Sequence, residues 1–164
     1  EAHVRFLHFV KTLTQLYPEK YFLFKPKYKF KNGFPDNKEL SKLSLILQKQ
    51  KNFILVEDIA PKVLIENSKL SISMPFSSPT VEALTSYNRS YYADIMNTFP
   101  DSYFSRFNNL VAKSEKEALE LFNFWLNLED DKFQKYINNN IKSIFGKQYM
   151  GNTTNFIREN IIKN

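Results

Sequence analysis

At 164 residues and 19.4 kDa, with 43% hydrophobic and 16% aromatic content, the chain is long enough to build a real core and is no disordered tail. It has no cysteine, which excludes a disulfide scaffold, a thiolate metal site and a cysteine nucleophile, and its three glycines leave little material for phosphate-cradling loops. The net charge of +6 arises wholly in the first half: Glu1–Thr80 holds 13 Lys and Arg against 7 Asp and Glu, whereas Val81–Asn164 balances at 10 and 10.

The first element is a helix. Val4, Leu7, His8, Phe9, Val10, Leu13 and Leu16 recur at helical spacing, and Pro18 closes the stripe. Next come Tyr21, Phe22, Leu23 and Phe24, followed by Lys25, Lys27, Lys29 and Lys31 alternating with Pro26, Tyr28 and Phe30. Side chains of an extended strand alternate between faces, so this segment predicts one strand with a row of ammonium groups on one side and aromatic surface on the other. Asn32-Gly33 marks a turn, and Asp36 with Glu39 has capping-box spacing ahead of Leu40, Leu43, Ile46 and Leu47, which predicts a helix to about Lys49. Phe53–Val56, Val63–Ile65 and the Leu70, Ile72, Met74 series read as short strands, with Pro61 interrupting them.

Pro75, Ser77, Ser78 and Pro79 read as a linker beyond which strand signals largely stop. Val81, Leu84, Tyr91, Ile95 and Phe99 fit one helical face with Ser78 or Thr80 as cap and Pro100 after its end. A further helix starts at Asp101 or Ser102 and carries Phe104, Phe107, Leu110 and Val111. Ser114 with Glu117 repeats the capping-box spacing before Leu119, Leu121, Phe122, Trp125 and Leu128. Phe133, Ile137, Ile141, Ile144 and Phe145 form another stripe ended by Gly146, and Phe156, Ile157, Ile161 and Ile162 make a last short helix. The expectation is an α+β fold: a mixed basic portion over 1–76 with a small sheet and two helices, then an all-helical portion over 77–164. The aromatic stripes of the second portion read as core.

For function, the basic stretch carries the argument. Nine Lys against Asp36 and Glu39 give +7 between Lys20 and Lys51, a local potential that favours nucleic acid, an anionic membrane surface or an acidic protein. With Phe24, Tyr28 and Phe30 turned to the core, Lys25, Lys27, Lys29 and Lys31 touch phosphate backbone without reading sequence; with Tyr28 or Phe30 outward, unpaired bases stack on them. The same row also serves an edge strand as protection against aggregation. The reading is a non-catalytic RNA-binding or structural subunit of a larger assembly, of the kind found in an organellar ribosome, with RNA or another polyanion and neighbouring subunits as partners. An intracellular location, mitochondrial among the options, suits it. A protein-only helical scaffold is the alternative.

Enzymatic signatures are sparse. His3 and His8 are five positions apart and share no helical face suited to a metal pair. No Gly-rich phosphate loop, nucleophile elbow or metalloprotease helix occurs, which points away from nucleotide-dependent catalysis and implies no cofactor and no metal. Pro100-Asp101 with Asp130-Asp131-Lys132 resembles the PD-(D/E)xK nuclease family, and the resemblance, confined to those five residues, implies a divalent metal held by the aspartates and an oriented water. In that family the second motif lies on a core strand. Asp130 or Asp131 here reads as a helix cap, and Glu129–Asp131 as a solvated helix start. No apolar run approaches the ~18 to 20 residues that cross a bilayer.

Overall fold

The fold, a computed structural model, is described for residues 1–27, 37–75 and 77–142. Helix α1 (Ala2–Leu16) buries Val4, Leu7, Phe9, Val10 and Leu13 of the expected stripe and Phe6 besides, whereas His8 is half-buried and Leu16 is exposed. Strand β1 (Phe22–Phe24) follows, then α2 (Lys38–Gln48) and β2 (Phe53–Leu55), which pairs with β1 in parallel, Phe22 opposite Phe53. Helix α2 is the crossover that parallel pairing demands. Its cap is Asn37, one residue after the expected Asp36: the Asn37 side chain accepts from Leu40 N at 3.0 Å.

Strand β1 stops at Phe24, before the first lysine of the row. The last rung of the ladder is Val56 N donating to Phe24 O at 2.9 Å, and Pro26 has no N–H with which to extend it. The expected strand at Val63–Ile65 is instead α3 (Pro61–Glu66). Proline suits the first turn of a helix, where the missing N–H has no partner in any case, so Pro61 starts an element rather than breaking one.

The larger correction concerns the second half, which is not all helical. After β3 (Ser71–Ser73), α4 (Ser78–Thr85) leads to β4 (Ser90–Ala93), a 3₁₀ turn (Tyr103–Arg106) and β5 (Val111–Ala112). These strands form a parallel sheet in the order β3-β4-β5, Ile72 opposite Tyr91 and Tyr92 opposite Val111. Tyr91 lies on a strand, and Tyr87 turns the chain between α4 and β4 with φ of 59°. All four residues of β4 are buried. A strand covered on both faces shows no period-two alternation, and the four-residue steps from Tyr91 to Ile95 to Phe99 mimic a helix. Because β3 and β4 lie on opposite sides of Pro75–Pro79, one sheet joins the 1–76 and 77–164 portions. The chain is α+β, with small parallel sheets among the helices.

Helix α5 (Glu115–Asn127) has the expected cap: Ser114 Oγ accepts from Glu117 N at 3.2 Å, and Glu117 Oε2 accepts from Lys113 N at 2.8 Å. Helix α6 (Asp130–Tyr136) runs into a π turn over Ile137–Ile141, where Asn138, Asn139 and Asn140 stay on the outer side and Ile137 and Ile141 are buried. Ile144, Phe145, the stop at Gly146 and the last predicted helix lie outside the described residues.

Tyr91, Phe122, Trp125 and Phe133 of the aromatic stripes are core, as expected, whereas Phe99 is exposed and Phe145 and Phe156 lie outside the described residues. Trp125 is fully buried, stands edge-on to Phe133 and Tyr136, and donates its indole N–H to Asn109 O at 2.9 Å. Tyr91, equally buried, donates its hydroxyl to Ala118 O at 2.8 Å and so ties β4 to α5.

Candidate functional site at the carboxyl edge of the strands

In open parallel sheets, ligands are held in the crevice beyond the carboxyl ends of the strands, because there the loops and helix N-termini converge. In β3-β4-β5 this edge begins at Ser73. Met74 and Pro75 lead from β3 to Ser77, the N-cap of α4, and Ser78 and Pro79 form its first turn. The Ser77 hydroxyl donates back to Met74 O at 2.6 Å and makes no cap hydrogen bond to the helix. Pro79 has no N–H, and the opening N–H groups that remain, those of Ser78 and Thr80, have no side-chain acceptor among the described residues and carry the positive end of the helix dipole. Tyr92 O–H donates to Ser77 O at 3.2 Å and holds the turn against β4.

Behind this turn lies a knot of buried hydroxyls. Thr80 is wholly buried, with Oγ1 2.6 Å from Ser73 Oγ, 3.1 Å from Ser90 Oγ and 3.3 Å from Tyr91 O. Ser90 also donates to Ser71 O at 2.9 Å. One residue of α4 is thereby fastened to both β3 and β4, which fixes where the helix starts. Small hydroxyl side chains at 73, 80 and 90 let α4 sit against the two strands and satisfy polar groups that burial would otherwise leave costly.

At the end of β4, Asp94 is 4% exposed, and its two carboxylate oxygens accept from Thr98 N and Phe99 N, both at 2.9 Å. The carboxylate is consumed in folding the 94–99 loop, in which Asn97 takes φ of 49°. Pro75, Tyr92, Asp94, Phe99, Ser102, Phe104 and Val111 enclose a cavity of about 10 Å³, room for a single water at most. Burial pushes the Tyr92 phenol up to about 12. Lys113, just past β5, donates to Pro100 O at 3.1 Å. A larger hollow of about 310 Å³ lies between β5 and α5, lined by Asn109, Val111, Glu117, Glu120, Leu121 and Phe124. Its two carboxylates make it a poor host for an anion.

The lysine row meets the same kind of edge on the other sheet. Lys25 and Lys27 follow the carboxyl end of β1, as Ser77 and Ser78 follow that of β3. Lys25 Nζ donates to Glu57 O beyond β2, and Lys27 is exposed. Tyr28, Lys29, Phe30 and Lys31 lie outside the described residues. The residues of the nuclease resemblance are not gathered into a metal site: among the described residues no three His, Asp or Glu side chains cluster. Asp130-Asp131-Lys132 opens α6 and is not on a strand, and Asp130 pairs with Arg89 at 2.6 Å at the amino end of β4.

Sequence reasoning reads Ser77 and Ser78 as linker, and the available signal was a proline in the first turn of a helix directly after a strand. No curated protein and no solved structure matches the chain. Residues 1–122 match the model of one family, described as polysaccharide biosynthesis PFTS motif protein. That span takes in every strand among the described residues, the α4 turn and most of α5, and the chain belongs to the family of polysaccharide biosynthesis PFTS motif proteins.

Proposed function

We propose that the chain serves polysaccharide biosynthesis as the part of a sugar-transferring enzyme that holds a phosphate-activated sugar, the phosphate resting on the N-terminus of α4. The observation that carries this is the position of Pro75-Phe76-Ser77-Ser78. It reads as the motif in the family's name with serine in place of threonine, and its last two residues are the N-cap and first residue of α4 at the carboxyl end of β3. Joining sugars requires a leaving group, and phosphate esters of sugars supply one. Free N–H groups and the helix dipole together favour a phosphate at such a turn.

The test is titration of the isotope-labelled chain with a nucleoside diphosphate, with inorganic pyrophosphate and with a neutral sugar. Amide shifts at Ser77, Ser78 and Thr80 with the first two ligands alone are expected, and their absence overturns the reading. A second reading, an RNA-binding or assembly subunit, is favoured by the +7 between Lys20 and Lys51. It predicts shifts at Lys25 and Lys27 with single-stranded RNA, strongly reduced by salt, and none at Ser78.

A further inference from the structure

Parallel sheets ordinarily have both faces covered, because each crossover lays a helix on one side or the other. The β1–β2 pair departs from this. On one face Phe22 stacks on Phe122 of α5, and Phe24 stacks on Phe53, which is buried. On the other, Leu23 and Ile54 stand opposite each other in register and each is 42% exposed. Tyr21, two residues before Leu23 on the same alternation, is 73% exposed.

The amino ends of β1 and β2 are tied to each other and to the end of α1. Asn52 donates to Thr14 O at 3.0 Å and Tyr17 O at 3.2 Å, and its own carbonyl accepts from Phe22 N at 2.8 Å. The end of α1, the turn into β1 and the turn into β2 are therefore one unit. Lys49 and Lys51, both exposed, flank the turn into β2 and enter no ion pair among the described residues.

We propose that this face docks on an anionic lipid bilayer, with Tyr21, Leu23 and Ile54 entering the boundary between headgroups and acyl chains and Lys49 and Lys51 meeting lipid phosphates. The charge selects an anionic partner, and the two aliphatic side chains select lipid over RNA, which offers them nothing to bury against. An amphipathic aromatic at the rim is the side chain that interfaces favour. Among the described residues no helix is long and apolar enough to cross a membrane. The inference is independent of the phosphate turn at α4, which lies on the other sheet.

Flotation of the whole chain with phosphatidylglycerol-containing and pure phosphatidylcholine vesicles tests it. Association with the anionic vesicles alone is expected. Each of Lys49→Gln and Lys51→Gln should lower the partition coefficient about fivefold, from the usual worth of a lysine at an anionic surface. Leu23→Ser with Ile54→Thr should lower it by at least a similar factor in a variant whose cooperative urea unfolding shows that it still folds. In a Tyr21→Trp variant, brominated lipid should quench the added emission, while Trp125, being buried, supplies an unquenched background. No flotation with anionic vesicles, or undiminished flotation of the Leu23→Ser/Ile54→Thr variant, overturns the proposal. So does RNA binding that needs the same lysines and is indifferent to Leu23 and Ile54. Nucleoside diphosphate binding is measured alongside, and its loss or survival bears on the α4 turn alone.

Discussion

Thr80→Val is the sharpest probe of how the α4 turn is held. The substitution keeps the shape and replaces a buried hydroxyl with a methyl. Ser90 retains its bond to Ser71 O, so it is not orphaned, whereas Ser73 Oγ, in a residue 8% exposed, loses its partner at 2.6 Å. Losing the hydrogen bond costs about 1 kcal/mol, and leaving the Ser73 hydroxyl buried and unpaired costs about 1 to 2 kcal/mol. Burial of the new methyl returns about 0.8 kcal/mol. The net is a destabilisation of about 2 kcal/mol, readable as a lowered midpoint in urea unfolding followed through Trp125. Adding Ser73→Ala removes the orphan, so the double variant should lose less than the sum of the single ones, with a coupling of about 1 kcal/mol. A Thr80→Val midpoint within error of the parent, or strict additivity, would show that the hydroxyls do not act as a knot.

Four further outcomes are expected. Ser78→Asp puts a carboxylate on the first turn of α4, where the dipole favours it, so stability should hold or rise while nucleoside diphosphate binding falls at least tenfold; unchanged affinity would remove phosphate from this turn. Ser114→Ala should cost about 1 kcal/mol through loss of the α5 cap, measured by urea unfolding. Asp94→Asn cannot accept from both Thr98 N and Phe99 N, and should speed amide hydrogen exchange at whichever of the two loses its acceptor. Burial raises the Tyr91, Tyr92 and Tyr136 phenols above their unfolded value near 10. The folded state thus holds protons that the unfolded one releases, and stability is full below about pH 10 and falls as pH climbs through the folded values. Alkaline titration should show these three phenols ionising late, together with unfolding; their ionisation near pH 10 in the folded chain would contradict the burial.

The elements that were legible in the sequence are those whose signal is local. Helices α1, α2 and α5 each combine an apolar stripe with a boundary residue beside it: Pro18, the Asp36–Asn37 pair and Ser114. Strand β2 was legible from three consecutive apolar residues, and β3 from Ile72 between two serines. What escaped depends on partners distant in sequence. Strands β4 and β5 are four and two residues long and draw their identity from hydrogen bonds to β3 and to each other, so within the Val81–Val111 stretch a helical period could be found by chance. Pro61 and Pro79 mislead in the same way, since proline interrupts one helix and opens another, and only the neighbouring strand decides which.

The candidate site was hidden for a related reason. A chain with three glycines has no glycine-rich phosphate loop, and by that standard nucleotide chemistry is set aside. The physical requirement of a phosphate turn, however, is a set of free N–H groups at a fixed helix start, and glycine is one means of meeting it. In Met74–Thr80 the same end is served by other residues. Pro79 presets the helical φ, Ser77 turns its hydroxyl back to Met74 O, and Thr80 anchors the first turn to two strands. Turning the Ser77 hydroxyl away from the helix is the step that matters, because a serine at this position would normally cap the N–H groups itself. Seen this way, Ser77→Asp separates two roles: a carboxylate that caps α4 should stabilise the chain and exclude phosphate together. If stability rises and nucleoside diphosphate affinity is untouched, the uncapped N–H groups of α4 are not where the anion rests.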